Sequence, residues 1–268
     1  MKFKVFILTL IFNNNSFCGP FSPAADQIGS NAISANHPSI VGWAVNFENF
    51  NEGENLYEEF KTPNKALNAA GNSDGNQLGF TFDVVSLGEG GSITLLFDPP
   101  IKNGDGFDFA VFENSFSDNF LELAWVEVSS NGIDFFRFEN ISLTPTQISS
   151  FGFIDPTNVS GLAGKYIQGF GTPFDLQSLV VAGFDKNILD INQVTHIKII
   201  DVIGDGSSLD TLTTPIYDPY PTYSSSGFDL DAIGVINQSQ VLQVENIPIP
   251  MVSTIFLSLL LIFIRLKN

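Results

Sequence analysis

Apolar and other residues alternate with a period of two along the middle of this chain. That period fits a β-strand with one buried face, and almost no helical period competes with it. In Gly90 to Asn114, GGSITLLFDPPIKNGDGFDFAVFEN, Ile93, Leu95 and Phe97 alternate with Thr94 and Leu96. Asp98-Pro99-Pro100 is expected to stop this strand, because proline cannot donate to a ladder. Asn103-Gly104-Asp105-Gly106 supplies a turn. Asp108 to Asn114 then returns with Phe109, Val111 and Glu113 on one face and Asp108, Ala110, Phe112 and Asn114 on the other. The stretch reads as a hydrophobic hairpin with three carboxylates, Asp105, Asp108 and Glu113, at or near its end.

The same reading extends along the chain. Leu121 to Ser129 sets Leu121, Leu123, Trp125 and Glu127 against Glu122, Ala124, Val126 and Val128. Ser130-Asn131-Gly132 follows as a hairpin turn, since Asn and Gly tolerate the positive φ such turns need. Asp134 to Phe138 returns. Thr195 to Val202 is a further strand, and Gly227 to Ile236 closes the fold, with Phe228, Leu230 and Ala232 opposed to Asp229, Asp231 and Ile233. Lys61 to Leu67 reads as a short helix with Pro63 near its first turn. Residues 46–82, 140–192 and 204–226 are long loops, which usually carry function or disorder. Many short strands with Gly/Asn turns argue for an all-β fold, an antiparallel β-sandwich of jelly-roll type.

The charge is lopsided. Of 11 basic residues, Lys2, Lys4, Arg265 and Lys267 lie at the ends, leaving seven against all 29 acidic residues in between, a net of −22. Such a surface repels nucleic acid, whose binding rests on Lys and Arg contacts to phosphate. It suits a secreted protein, or one whose carboxylates are partly neutralised by divalent cations. The single cysteine, Cys18, allows no disulfide within the chain. The 27 phenylalanines are ample for a core.

The ends read as targeting segments. Residues 1–18 combine basic Lys2 and Lys4 with an apolar run from Phe3 to Phe12, as a secretory signal peptide does. Residues 19–82 form an entry segment and acidic loop region packing on the sandwich, 83–237 the sandwich core, and 238–247 a linker. Residues 248–268 are a short C-terminal hydrophobic helix: Pro248-Ile249-Pro250, an apolar run from Met251 to Ile264, then Arg265 and Lys267.

Several residues carry candidate chemistry. Ca²⁺ takes six to eight oxygens, and Asp105, Asp108, Glu113, Asp201, Asp205, Asp210, Asp229 and Asp231 are candidate ligands. The competing account is that these side chains cap turns and accept from backbone N–H. Asp229 and Asp231 share a strand face, and a carboxylate pair inside a hydrophobic strand is costly unless paired or metal-bound; exposure on an edge strand is the alternative. Tyr217, Asp218, Tyr220 and Tyr223 in IYDPYPTY offer an aromatic platform with an acid, the furniture of sugar sites, or else pack on the sheet edge. A glycosidase-like carboxylate pair can be drawn from Glu113 and Glu122. No serine sits in a nucleophile elbow, and the two histidines, His37 and His196, make no zinc site. No catalytic residue is assigned.

The tail resembles the PEP-CTERM class of sorting signals, in its Val/Ile-Pro-x-Pro variant, without the glutamate of the founding motif. That resemblance implies an exosortase-type partner, transient anchoring in the inner membrane through the C-terminal segment, and delivery to the surface or extracellular matrix of a Gram-negative bacterium. GPFSPAADQIGS, SLGEGGSITLLF, DFAVFENSF, LAWVEVSSNGIDFFRF, LAGKYIQGFGTPFDL and IYDPYP with GFDLDAIGVI resemble a family of uncharacterised bacterial cell-surface proteins, from which the stretch near Asn72–Phe82 departs as an insertion. VEVSSNGIDFFRF, THIKIIDV and FDLDAIGVI are similar to strands of galactose-binding-like jelly rolls, whose carbohydrate-binding members often hold a structural calcium. The expectation is an exported, non-catalytic, calcium-supported sandwich that binds extracellular polysaccharide or cell-surface glycan. The alternatives are a structural exopolymer-associated protein with no small ligand, and a glycan-active hydrolase.

Overall fold

A computed structural model describes residues 19–71 and 83–240. The segment expected as a signal peptide, with Cys18, the stretch Asn72–Phe82 expected as an insertion, most of the expected linker and the apolar tail lie outside the described residues. The strands in chain order are β1 (Ile33–Ser34), β2 (Gly42–Trp43), β3 (Asn46–Asn51), β4 (Val85–Ser86), β5 (Ser92–Ile101), β6 (Phe109–Glu113), β7 (Ala124–Ser129), β8 (Phe136–Arg137), β9 (Ile141–Ser142), β10 (Val159–Ser160), β11 (Phe170–Phe174), β12 (Val194–Asp201) and β13 (Asp229–Val235). One helix, α1 (Gln177–Val181), precedes β12, and a 3₁₀ turn spans Pro63–Ala66, where a short helix is expected from the sequence. Among the described residues no helix is long and apolar enough to cross a membrane.

The strands form an all-β sandwich of antiparallel sheets. One sheet runs β1-β11-β6-β13-β2, with β4 also on β13; the other runs β3-β5-β12-β7-β8; β9 and β10 pair separately. Alternation decides which side chains meet between them. Ile93, Leu95 and Phe97 of β5, Val126 and Val128 of β7, and Ile197 and Ile199 of β12 pack in one core with Phe109 and Val111 of β6 and Leu230, Ile233 and Val235 of β13. The opposite face of the first sheet presents Ala110, Phe112 and Ala232, which the entry segment covers with Ile33, Ala35, Ile40 and Trp43. The Trp43 ring lies 5.6 Å from that of Phe112.

Four sequence expectations need correction. β5 and β6 are not a hairpin: β5 pairs with β3 and β12, whereas β6 pairs with β11 and β13. The turn between them is a corner from one sheet to the other. Nor do the prolines stop β5. The register passes from His196↔Leu96 to Val194↔Ile101, skipping 97–100, so no ladder bond is asked of Pro99 or Pro100. β13 is no edge strand, since β6 flanks it on one side and β2 and β4 on the other. It also carries a bulge between Leu230 and Ala232. The extra residue shifts the alternation, so Ile233 joins Leu230 in the inter-sheet core while Ala232 faces the entry segment.

Candidate ligand-binding pocket

Most of the acidic residues singled out in the sequence hold loops. Asp108 accepts from Gly104 N (2.7 Å), Leu176 N (2.8 Å) and Asn237 Nδ2 (3.0 Å), pinning the corner between the sheets. Asp201, at the end of β12, accepts from Gly90 N and Phe228 N, both at 2.7 Å. Asp231 accepts from Gly71 N through both oxygens, at 2.9 and 3.1 Å. Asp210 accepts from Ser142 N, Leu212 N and Thr214 N. Asp205 accepts from Ser207 N, and Asp105 is exposed. Asp218 is buried and accepts from Leu123 N at 2.9 Å, while its neighbours Tyr217 and Tyr220 are half-buried.

These oxygens serve peptide N–H groups. Among the described residues no three His, Cys, Asp or Glu side chains are placed to hold a metal ion. The carboxylates expected to share a calcium are thus spread over several loops, each engaged by its own N–H donors.

Three other carboxyls differ. Glu113 ends β6, Glu122 stands two residues before β7, and Asp229 starts β13. They keep only 2%, 7% and 5% of their surface, and all three line one cavity of about 390 Å³. Glu113 Oε2 accepts from Ser115 N at 2.9 Å. Glu122 stands in the same wall, where burial is the chief opponent of its charged form. Asp229 Oδ1 is buried with no hydrogen-bond partner among the described residues. Ser86 and Asn114 lie near enough to favour the Asp229 charge, but neither satisfies Oδ1 in hydrogen-bonding geometry.

The electrostatics follow from this crowding. Burial, with the charge of Asp229 next, holds Glu113 well above the usual carboxylate range. Burial does the same to Glu122, reinforced by Asp229, Glu113, Asp218 and Asp201. Asp229 is pushed up to about 7 by burial, against the pull of Ser86, Asn114 and Lys65. The low dielectric makes a second negative charge expensive, so each group favours its protonated form more than a free carboxyl does.

The mouth of the cavity is aromatic. Phe116 and Phe120 stack at 4.3 Å, and Phe120 faces Phe151 at 6.3 Å. Phe151 is 80% exposed, Tyr223 62% and Phe116 46%. Local bonds fix these rings. Ser115 Oγ donates to Phe120 O, and Ser117 Oγ accepts from Phe120 N at 3.1 Å, closing the 115–120 loop. Ile154 N donates to Asn119 O at 2.8 Å, tying the Phe151 loop to it. Thr222 donates to Glu89 Oε1 through its N and its Oγ, both at 2.8 Å, which holds the Tyr223 loop.

Of the residues expected to bind ligand, Tyr223 lines this cavity, whereas Tyr217, Asp218 and Tyr220 do not. Of the expected metal ligands, Glu113 and Asp229 line it. Phe116, Phe120 and Phe151 are additions that the sequence reading did not single out. The dense phenylalanines of ENSFSDNF are the one signal that pointed there. No family model, curated protein or solved structure matches the chain.

Proposed function

We propose that this protein is an exported cell-surface β-sandwich that binds glycan, and that the acid-floored aromatic pocket is its binding site. The observation that supports this most is the combination of exposed Phe116, Phe151 and Tyr223 at the mouth with Glu113, Glu122 and Asp229 within. Sugar rings present apolar C–H faces that lie on aromatic rings and hydroxyls that donate to carboxylates, and a concave site with a few convergent polar groups is what such ligands require. Export and surface delivery rest on the terminal segments of the sequence. The test is calorimetric titration with oligosaccharides representing bacterial and plant surface polymers, on the parent protein and on Phe151→Ala and Tyr223→Ala. Both rings are exposed, so their loss leaves the fold intact. We expect each change to weaken binding about tenfold; undiminished binding by both variants would remove the pocket from the reading.

One observation favours a second reading, glycan hydrolysis. Glu122 is buried in the cavity wall and its pKa stands well above the ordinary value, as a general acid requires, with Glu113 and Asp229 lining the same cavity. Release of reducing ends from a bound oligosaccharide, abolished by Glu122→Gln, would establish it over simple binding.

A further inference from the structure

Every residue lining the pocket is either neutral or acidic. Buried carboxylates normally keep company with a cation, because an unpaired charge in a low dielectric is costly. Here Asp229 Oδ1 is buried with no hydrogen-bond partner among the described residues, and Glu122, 7% exposed, lines the same cavity. A neutral sugar supplies hydroxyl donors but no charge. An ammonium group supplies three donors and a positive charge in one compact unit. The aromatic faces of Phe116, Phe120, Phe151 and Tyr223 attract the same charge through their quadrupoles. The formal net charge of −18 draws cations toward the protein from a distance.

From this acid-lined cavity, which has no cationic side chain in its lining, we infer that the pocket takes a sugar bearing a free ammonium group, the amino-sugar unit of a de-N-acetylated glycan. This deepens the glycan reading and rests on it. The ammonium is recognised by Glu122 and Asp229, and the ring by the aromatic mouth.

The titratable groups around the site agree. Glu113 from β6, Asp229 and Asp231 from β13, Asp201 from β12 and Asp218 from the following loop all press negative charge on one another or on Glu122, and Lys65 is the cation that acts on Asp229. Lys65 does not line the cavity. An arriving ammonium favours the charged carboxylates, lowers their pKa and releases protons from them. No bond is made or broken, and the protons pass to buffer.

The experiment is calorimetry on the full chain at mildly acid pH, where the ligand amine is an ammonium. The probes are chitosan, chitin and cello-oligosaccharides of matched length, and an oligolysine of similar charge. We expect the chitosan oligomer to bind about tenfold or more tighter than the other three, with proton release seen as a dependence of the heat on buffer ionisation. Glu122→Gln is expected to erase that preference, and Phe151→Ala to weaken the binding in a chain whose fold is undisturbed. Asp105→Asn makes the same charge change at an exposed site and should leave it unaltered. Equal binding of chitosan, chitin and cello-oligomers overturns the inference and leaves the glycan reading standing. No binding of any oligosaccharide overturns both. Oligolysine as tight as chitosan, or chitosan binding untouched by Glu122→Gln, marks non-specific attraction to an acidic protein and also overturns the inference.

Discussion

At the scale of single residues, an aspartate in this protein does one of two jobs, and hydrogen bonding separates them. Asp108 collects two backbone donors and the Asn237 amide. Replacing it by alanine strands those donors in a buried corner, so we expect Asp108→Ala to cost about 2–4 kcal/mol in denaturant melts. Asp231 illustrates the titration. Its ordinary value is 3.8 and burial raises the folded value to about 7. Between those limits the folded state holds more protons than the unfolded chain, so stability is greatest below the ordinary value and falls as pH rises toward 7. Roughly 3 pH units at 1.36 kcal/mol each bound the loss at ~4 kcal/mol for such a carboxyl. Asp231→Asn keeps an acceptor for Gly71 N and cannot ionise, so melts across this pH range should decline less steeply in the variant. An equal slope would show that other buried acids dominate. The sequence made Asp229 and Asp231 legible, because two carboxylates inside FDLDAIGVI demand an explanation. It could not make Glu122 legible as a pocket residue, since nothing in LELAWVEV tells which Glu is buried in a cavity wall.

At the scale of elements, alternation located the strands and failed on their partners. The Leu121–Phe138 hairpin follows from local turn chemistry, and β7 and β8 do pair, through Glu127↔Arg137 and Val128↔Phe136. The corner after β5 is set instead by distant contacts, and a stretch of residues cannot show which of two sheets its neighbour will join. The bulge in β13 is equally invisible, because it depends on the match to β6. The segment that places Glu122 is clamped by Ala124 and Ala163, which exchange backbone hydrogen bonds at 3.2 and 2.9 Å. Gly164 follows at φ +83°, and a Cβ there would collide with the Glu122 carbonyl oxygen. We expect Gly164→Ala to destabilise by about 1–3 kcal/mol and to weaken ligand binding by displacing Glu122. Unimpaired binding would mean that this strand entry does not position the site.

At the scale of the whole molecule, an acidic protein with so few buried cations gains its cohesion from the apolar core between the sheets. The calcium expected from the sequence is tested by thermal melts in calcium and in chelator. The engagement of Asp108, Asp201 and Asp231 by N–H groups leads us to expect coincident curves; a rise of several degrees in calcium would require ligands other than these. Composition and alternation made the sandwich legible, because fold class depends on sums over many residues. The pocket depends on three loops meeting at one end, and sums do not report that.

The pairing of β2 with β13 sets Trp43 beside Gly234, so strands at opposite ends of the described chain are hydrogen-bonded neighbours. Contacts of such sequence separation are paid for in loop-closure entropy before they return anything, which slows folding. A chain threaded outward from its N-terminal end would keep the Trp43 and Phe112 face unsealed until its last strand arrived. Until that strand docks, the apolar face stays open to wrong partners, so the last-made segment also guards the chain against aggregation.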